Sequence, residues 1–439
     1  MNTKSSRLIA LLFAAMLISG SALGQGVQTY TLPDVIGKYN PVRIGVEDVK
    51  YIGTEYITRE DSALMRYVTT TVQRDINFYA DFELVSIDTF YLTTYEITEM
   101  TALGWNRLGA EYIVKMKAEF PGPNVRIYWS VQNTKNQVEI GNGKLEYNRQ
   151  YWRELAHDVS NEVVYLLTGD FGIFRTKIAY IKKIGNAKEV CVADYNGANE
   201  VQVTNTGTIN LSPVFSPDGK EIFFTSYKDG TPQLYKVSIN GGEIKQITHF
   251  PGIAAAPAIS PDGNKIACTL SKDGNSEIYV LDLQGNIIKR LTRHPSIDSS
   301  PTWSPDGRSI AFASDRTGSP QIYIMDSDGL SVRRLTFQGG YNDSPIWAQK
   351  GGRITFVSRT PDDHRFNLAS IDTSGADFFK MTEVGHNENP HFSPDGKHII
   401  FSSDRLSESD IYTMDLSGRN QRRLTRDGHC SNPTWGPLK

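Results

Sequence analysis

The sequence predicts an all-β, six-bladed β-propeller in the C-terminal part of the chain, preceded by a small N-terminal α/β domain. Two observations carry this prediction. Six similar segments begin at aligned prolines that are 44, 44, 44, 45 and 43 residues apart. Each complete segment contains four short strand-like runs joined by turns, and four strands in about 40 to 45 residues are typical of one propeller blade.

Each segment starts with the strand that contains the aligned proline. A large apolar residue follows two positions later. Four of the six segments then have a Ser-Pro-Asp-Gly turn, in which proline presets φ and glycine tolerates the last position, whereas the segment of Pro345 has Ala-Gln-Lys-Gly-Gly and keeps only the glycine. After the turn the apolar residues alternate, which indicates a strand with one buried face. The aligned prolines are Pro213, Pro257, Pro301, Pro345, Pro390 and Pro433, and the apolar residues are Phe215, Ile259, Trp303, Trp347, Phe392 and Trp435.

The last segment stops after its first strand, and the three strands that would complete it stand before the first repeat. They are the runs 175–183, 189–197 and 200–206. One blade is therefore built from both ends of the propeller, residues 173–439, so that the ring closes without an open sheet edge. A linear solenoid is the alternative, and the split blade disfavours it.

Residues 1–24 have the pattern of a secretory signal peptide. Lys4 and Arg7 precede an apolar run from Leu8 to Ile18, and small residues lead to an expected cleavage site after Gly24. A membrane anchor is the alternative, but the apolar run is too short to span a bilayer.

Residues 25–172 carry no repeat. Strand-like runs alternate here with two stretches of helical periodicity, 59–79 and 149–169, the second of which ends at the C-cap Gly169. This mixture indicates a small α/β domain that leads directly into the propeller.

Composition excludes some classes of function. The formal net charge is −3 and no block of basic residues stands out, so nucleic acid is not an expected partner. Cys191, Cys268 and Cys430 show no metal-ligand spacing; the first two are expected to pack as small hydrophobes, and a Cys268–Cys430 bridge remains open. No G-x-S-x-G, H-E-x-x-H or P-loop motif is present. The sequence therefore predicts no enzyme and no catalytic, metal or cofactor site.

Three stretches carry a family resemblance: Trp105–Val114, Arg153–Ile181 and the Ser-Pro-Asp-Gly repeats. With them the chain resembles the TolB family, the periplasmic propeller proteins of the Tol–Pal envelope system. The resemblance extends over essentially all of the mature chain. It implies a periplasmic adaptor without enzymatic activity, which supports outer-membrane integrity and constriction during cell division.

The resemblance also implies partners. In the family, loops before the innermost strands hold Pal, the peptidoglycan-associated lipoprotein, and a short N-terminal switch segment contacts the inner-membrane protein TolA. Here that segment is residues 25–40, which depart from the family pattern. The loop before Pro257 carries Ile253 and Ala254 where better-known members have a polar, histidine-bearing loop.

We accordingly predict that the partner site lies in six loops between the fourth strand of one blade and the first strand of the next. These loops are 210–212, 252–256, 297–300, 341–344, 386–389 and 430–432. The predicted contact residues are Asn210, Ser212, Ile253, Ala254, Ala255, Asp298, Ser299, Ser300, Tyr341, Asn342, Asp343, His386, Asn387, Glu388 and Asn432.

Two other classes of function are the alternatives. A propeller enzyme of the lactonase or hydrolase type needs acids or histidines on several innermost strands, and only His391 qualifies. A carbohydrate- or peptidoglycan-binding module needs exposed aromatic side chains at loop tips, where only Phe250 and Tyr341 qualify; the repeated tryptophans are expected in the core between blades. The Ser-Asp-Arg turns at Asp315 and Asp404 are expected to satisfy turn backbone and brace blades rather than to contact a partner.

Overall fold

The computed structural model describes residues 40–54, 56–86, 101–350 and 352–438. The predicted signal peptide lies outside these residues, and so does the predicted switch segment apart from Asn40. Within the described ranges no helix has both the length and the apolar character needed to cross a membrane.

The N-terminal part of the described chain is a mixed sheet with two long helices on one face. Its elements are β1 (Val42–Val46), β2 (Lys50–Tyr51), α1 (Arg59–Ile76), β3 (Phe82–Leu84), α2 (Ala102–Arg107), β4 (Tyr112–Glu119), β5 (Asn124–Asn133), β6 (Glu139–Asn148), a 3-10 turn (Arg149–Tyr151) and α3 (Trp152–Thr168). The strand order is β3-β1-β4-β5-β6, and β2 pairs with β4. Residues of α1, α3 and the sheet share one hydrophobic core.

Both predicted helices are present, and their ends follow from local chemistry. Thr58 and Asp61 bond each other's backbone N–H in a capping box at the start of α1. Gly169 ends α3 with φ of 78°, a conformation that glycine adopts without steric cost. Tyr67 occupies an apolar position in the helical periodicity of residues 59–79, but it is 56% exposed and stacks on Trp152 instead of entering the core.

The C-terminal part of the described chain forms six four-stranded antiparallel sheets, which confirms the predicted fold class. Blade 1 contains β7 (Lys177–Ile184), β8 (Ala187–Asp194) and β9 (Val201–Gln202). Blade 2 contains β10 (Asn210–Phe215), β11 (Glu221–Ser226), β12 (Gln233–Ser238) and β13 (Lys245–Gln246). Blade 3 contains β14 (Ala254–Ile259), β15 (Lys265–Leu270), β16 (Glu277–Asp282) and β17 (Ile287–Arg290). Blade 4 contains β18 (Asp298–Trp303), β19 (Ser309–Ser314), β20 (Gln321–Asp326) and β21 (Arg333–Arg334). Blade 5 contains β22 (Tyr341–Trp347), β23 (Arg353–Arg359), β24 (Asn367–Asp372) and β25 (Phe379–Lys380). Blade 6 contains β26 (Asn387–Phe392), β27 (His398–Ser403), β28 (Asp410–Asp415) and β29 (Arg422–Arg423).

The last strand, β30 (Cys430–Trp435), closes the ring as the sequence predicts. It pairs with β7 and becomes the innermost strand of blade 1, with Cys430 opposite Lys182 and Trp435 opposite Ile178. The propeller is thus completed by a strand contributed from about 250 residues downstream of its neighbour.

The core of the propeller lies between blades. Trp303 packs against Ala267, Ile278 and Val280 of the preceding blade, and its indole N–H donates to the carbonyl of Ala258 at 3.1 Å. This is the place that the sequence predicts for the repeated aromatic residues. All three cysteines are buried and free, so the Cys268–Cys430 bridge is not formed.

The α/β domain sits on the propeller face that carries the Ser-Pro-Asp-Gly turns, here called the turn face. Tyr79 donates to Asp395 at 2.7 Å, and Tyr195 donates to Asp75 at 2.5 Å. Lys397 also binds Asp81 at 3.3 Å. Because strands in a blade alternate in direction, the residues before the aligned prolines lie on the opposite face, here called the open face. The hydrogen bonds described between the two parts of the molecule all fall on the turn face.

Candidate functional site

The segments predicted as partner loops belong largely to the innermost strands. In most blades the strand begins three residues before the aligned proline, and in blade 5 it begins at Tyr341, one residue earlier. The prediction that these segments are loops is therefore wrong, although Gly252, Ile253, Ile297 and His386 do precede their strands.

A β-bulge explains the error. The residue before each aligned proline has a left-handed φ between 48° and 53°, and all six innermost strands shift register at this point. A bulge places two residues opposite one, which breaks the alternation by which a strand is recognised in sequence. The bulged residues are Ser212, Ala256, Ser300, Ser344, Asn389 and Asn432. Four of these residues, Ser212, Ala256, Ser300 and Ser344, donate their N–H to a side-chain oxygen. Ser300, for example, donates to Thr269 Oγ1 of the preceding blade at 3.2 Å.

Five of the predicted contact residues are fully buried. These are Asn210, Ala254, Asp298, Asn342 and Asn387, each 0% exposed. The Asp298 carboxylate accepts from Arg316 at 2.8 Å, and the Asn342 amide donates to Gln321 of the preceding blade at 2.9 Å. The side chains of these five residues are therefore packed inside the propeller and are not exposed on its surface.

The Ser-Asp-Arg turns have the structural role that the sequence suggests. Asp315 accepts from the backbone N–H of Ile297 at 2.8 Å, and Asp404 accepts from that of His386 at 2.6 Å. Arg405 donates to Asn387 at 2.8 Å. These contacts hold each strand start against the turn of its own blade, and so they shape the open face.

The surface of the open face follows from two repeat positions. The outer ring is the residue four places before each proline: Ile209, Ile253, Ile297, Tyr341, His386 and His429. The inner ring is two places before it: Leu211, Ala255, Ser299, Asp343, Glu388 and Ser431. Ile253 and Ile297 are 42% and 50% exposed, which is unusual for isoleucine in a folded protein.

Sequence reasoning missed part of this surface. Ile209 is 41% exposed and was not among the predicted contact residues. Phe337, Val384 and Leu406 are also exposed apolar side chains in connections on the same face. Aligning the position four before each proline would have found Ile209, whereas the loop tips have no shared repeat position.

The propeller axis holds a cavity of about 420 Å³ lined by the residues that flank the six aligned prolines. Among these lining residues His391 is the ionisable one, and the others are neutral. Desolvation of the imidazole lowers the pKa of His391 to about 4, although the hydrogen bond with the Phe392 carbonyl opposes this shift. In the described part of the chain no group of three or more His, Cys, Asp or Glu side chains could hold a metal ion.

His391 should make the propeller sensitive to mild acid. Its pKa is about 4 in the folded state against an ordinary 6.5, so the unfolded chain binds the proton more strongly. The free energy of unfolding is therefore unaffected above pH 6.5 and falls by about 3 kcal/mol as the pH drops through this window. We expect His391→Val, which installs the residue found at this position in blade 2 as Val214, to remove that part of the pH dependence.

The measurement is urea unfolding of both proteins at about pH 7 and about pH 4. Equal losses of stability in the two proteins would show that His391 is not the group responsible.

The comparisons with known proteins agree with this architecture. A family model described as TolB beta propeller domain matches residues 164–439. The chain is 29% identical over 188 residues to the Tol-Pal system protein TolB of Roseobacter denitrificans, covering 42% of each protein. It is 29% identical over 234 residues to the protein of the same name from Orientia tsutsugamushi, covering 52% of this chain and 51% of that one. The chain thus spans about half, or less, of the length of these curated relatives.

A solved structure matches over a longer range. The crystal structure of TolB from Acinetobacter baumannii superposes with a TM-score of 0.79 at 27% sequence identity. The match covers 91% of this chain and 97% of that one, so it includes the α/β domain as well as the propeller.

Proposed function

Because the chain belongs to the TolB β-propeller family, we propose that it is a periplasmic adaptor of the Tol–Pal system. In this role its open face binds a peptidoglycan-associated lipoprotein, Pal, and so supports outer-membrane integrity and constriction during cell division. The relatives' shared description as Tol-Pal system proteins supports the system. The predicted signal peptide supports the location, and binding rather than catalysis is the proposed activity.

One observation carries the choice of face. The α/β domain contacts the turn face, whereas the open face presents Ile209, Ile253 and Ile297 to solvent. Exposed aliphatic residues grouped on a rigid scaffold are typical of a protein interface. Binding there would compete with the hold of Pal on the cell wall.

The N-terminal segment, residues 25–40, is proposed to contact a TolA-like inner-membrane protein. Binding of Pal would order or release this segment only if Pal has different affinities for the two states of the chain. The basis for this proposal is the family resemblance, since the segment lies outside the described residues except for Asn40.

The test is calorimetric titration of residues 25–439 with the periplasmic domain of the host's Pal-like lipoprotein. We expect Ile253→Ser with Ile297→Ser to weaken binding at least about tenfold, because each loses the burial of an aliphatic side chain. Ile288→Ser is the matched control, since Ile288 is 53% exposed on β17, the outermost strand of blade 3.

The outcomes separate the parts of the proposal. If the double variant loses affinity and the control Ile288→Ser does not, the result supports the open face as the binding site. No binding by the unaltered protein at about 50 µM would contradict the adaptor function and direct the search to ligands of the channel. Unchanged affinity after deletion of residues 25–40 would contradict the coupling to TolA.

A further inference from the structure

The open face is divided into two chemically different sectors. In blades 2 to 4 the outer ring reads Ile209, Ile253 and Ile297, and the inner ring reads Leu211, Ala255 and Ser299. In blades 5, 6 and 1 the outer ring reads Tyr341, His386 and His429, and the inner ring reads Asp343, Glu388 and Ser431. An aliphatic sector therefore lies beside a polar sector whose inner ring carries two carboxylates and no basic residue.

Among the described residues neither inner-ring carboxylate forms an ion pair with a lysine or arginine, and His386 is the one base that acts on Glu388. Asp343 accepts from the Tyr341 hydroxyl at 2.9 Å and from the backbone N–H of Ser344 at 2.6 Å, both uncharged donors. Desolvation raises the pKa of Glu388; His386 lowers it, and the carboxylates of Asp404 and Asp343 raise it further. The charge on this part of the face is thus left for a molecule from outside to neutralise.

Two arginines near this sector, Arg316 and Arg359, contact groups other than the two inner-ring carboxylates. Arg316 binds the buried carboxylate of Asp298 at 2.8 Å and lies over the ring of Tyr323. Arg359 stacks on Tyr341 and on Phe366, at 5.5 and 5.2 Å from the ring centres. These cation–π and ion-pair contacts fix the guanidinium groups against their own blades.

A small cavity marks the border between the sectors. It measures about 170 Å³ and is lined by Ile297, Ser299, Ala313, Ser314, Asp315, Pro320 and Asp343. Its apolar walls suit the methylene chain of a lysine or arginine, whose charged end would then reach the carboxylates.

We propose that the open face receives a folded protein partner with an amphipathic contact surface. An aliphatic patch of the partner covers Ile209, Ile253 and Ile297, and a lysine or arginine lies between Asp343 and Glu388. The inference rests on the proposed function, because it describes the partner of the same face and adds the chemistry by which that partner is selected.

Charge complementarity favours this occupant over the others. A second copy of the chain has no lysine or arginine in either ring to offer these carboxylates, and an anionic lipid surface would be repelled by the same two groups. A purely aliphatic partner would bury both carboxylates without a counter-charge, which costs more than the apolar contact returns.

The test uses Asp343→Asn and Glu388→Gln, singly and together, in residues 25–439. These changes remove charge and keep the hydrogen-bonding shape. The control is Glu243→Gln with Asp328→Asn, two exposed acids in the turns between the third and fourth strands of blades 2 and 4. The first probe is the Pal-like periplasmic domain. Its affinity is measured first, and its association rate is then measured at low and high salt. The second probe is a displayed library of random linear peptides selected on the unaltered protein.

We expect the double variant to bind the Pal-like domain about tenfold more weakly and to lose most of the salt dependence of association, with the control unchanged. Selected peptides should combine lysine or arginine with aliphatic residues and should not bind the double variant.

The two probes separate the inference from the proposed function. If the Pal-like domain binds the double variant as tightly as the unaltered protein, the inference is overturned and the adaptor function stands. If that domain does not bind at all but selected basic peptides bind through the two acids, the adaptor function fails and the chemistry of the face stands. Selected peptides without basic residues, or with equal affinity for the double variant, would also overturn the inference.

Discussion

Removing the last strand, by ending the chain after residue 428, is expected to abolish the cooperative unfolding transition of the propeller. The strand β30 supplies the innermost position of blade 1 and pairs with β7 along its length. Its loss exposes the edge of β7 and the core beneath Trp435, which is 4% exposed and packs near Phe78 and His398. An opened ring also removes the contacts of blade 1 with blade 6, which a closed propeller requires.

The effect should exceed that of any single substitution. Truncating a buried tryptophan alone costs about 3 to 5 kcal/mol, and whole domains are stable by about 5 to 15 kcal/mol. Thermal unfolding followed by near-ultraviolet circular dichroism should show no folded baseline for the truncated chain. A transition at the temperature of the full-length protein would contradict the role of β30 in closing the ring.

Two further variants keep the prediction testable if the truncated chain cannot be expressed. Ending the chain after Gly436 removes the residues that follow β30, including Leu438, which is 41% exposed, and should leave the transition unchanged. Trp435→Ala keeps the strand but removes its indole and the hydrogen bond that it donates to Thr176 at 2.9 Å. We expect this variant to remain folded with a stability lowered by about 3 to 5 kcal/mol.

The closing strand could be predicted from sequence because its signals are local and repeated. The aligned prolines, the following aromatic residue and the turn chemistry recur in nearly every blade. The segment that ends at Trp435 has only the first strand of a blade, and the runs before Pro213 supply the other three strands. The start of each innermost strand could not be predicted. The left-handed residue before the proline breaks the period of two, and a run such as Asp298–Ser300 then has the composition of a loop.

Some elements have no hydrophobic period to reveal them. Strand β6 has no alternation of apolar residues in its sequence, because Gly141 and Gly143 occupy positions on its packed face. A side chain at Gly141 would collide with Leu166, and one at Gly143 would collide with Trp129. The large neighbours fill the space that apolar residues of β6 would otherwise occupy, so the strand reads as polar sequence.

The residues of the open face could likewise be predicted only in part from the sequence. The exposure of Ile253 is consistent with a sequence argument that placed it in a partner site, whereas the burial of Asp298 is not visible in its own segment. Asp298 is buried because Arg316, 18 residues away, reaches it across the blade. This pairing forms only when β18 and β19 are paired in blade 4, and the pattern of either segment alone does not reveal it.

Asp75→Ala is the second change expected to have a large effect, because Asp75 joins the α/β domain to the propeller. Its carboxylate is 0% exposed and accepts from the Tyr195 hydroxyl at 2.5 Å and from His157 Nδ1 at 2.8 Å. Burial and the nearby carboxylate raise the pKa of Tyr195, so the hydroxyl stays protonated as a donor. One carboxylate thus connects α1, α3 and blade 1.

Removing that carboxylate leaves two buried polar groups without their acceptor. His157 Nε2 is already buried without a hydrogen bond among the described residues, so the ring would lose its remaining partner. Each unsatisfied buried group costs about 1 to 3 kcal/mol, and the combined loss should be about 3 to 5 kcal/mol. Because the hydrophobic core is continuous across the junction, we expect urea unfolding to change from one transition to two as the α/β domain separates first.

The matched variant, Tyr195→Phe, tests whether the carboxylate or the aromatic packing joins the two parts. It keeps the ring, which lies 5.0 Å from that of Phe78 and 5.4 Å from that of Phe174, and it removes only the hydroxyl. We expect it to lose about 1 kcal/mol and to unfold in a single transition. If Asp75→Ala were no worse than Tyr195→Phe, the aromatic cluster rather than the carboxylate would hold the α/β domain on the turn face. In that case the aromatic packing would be what keeps the α/β domain on the turn face and leaves the open face uncovered.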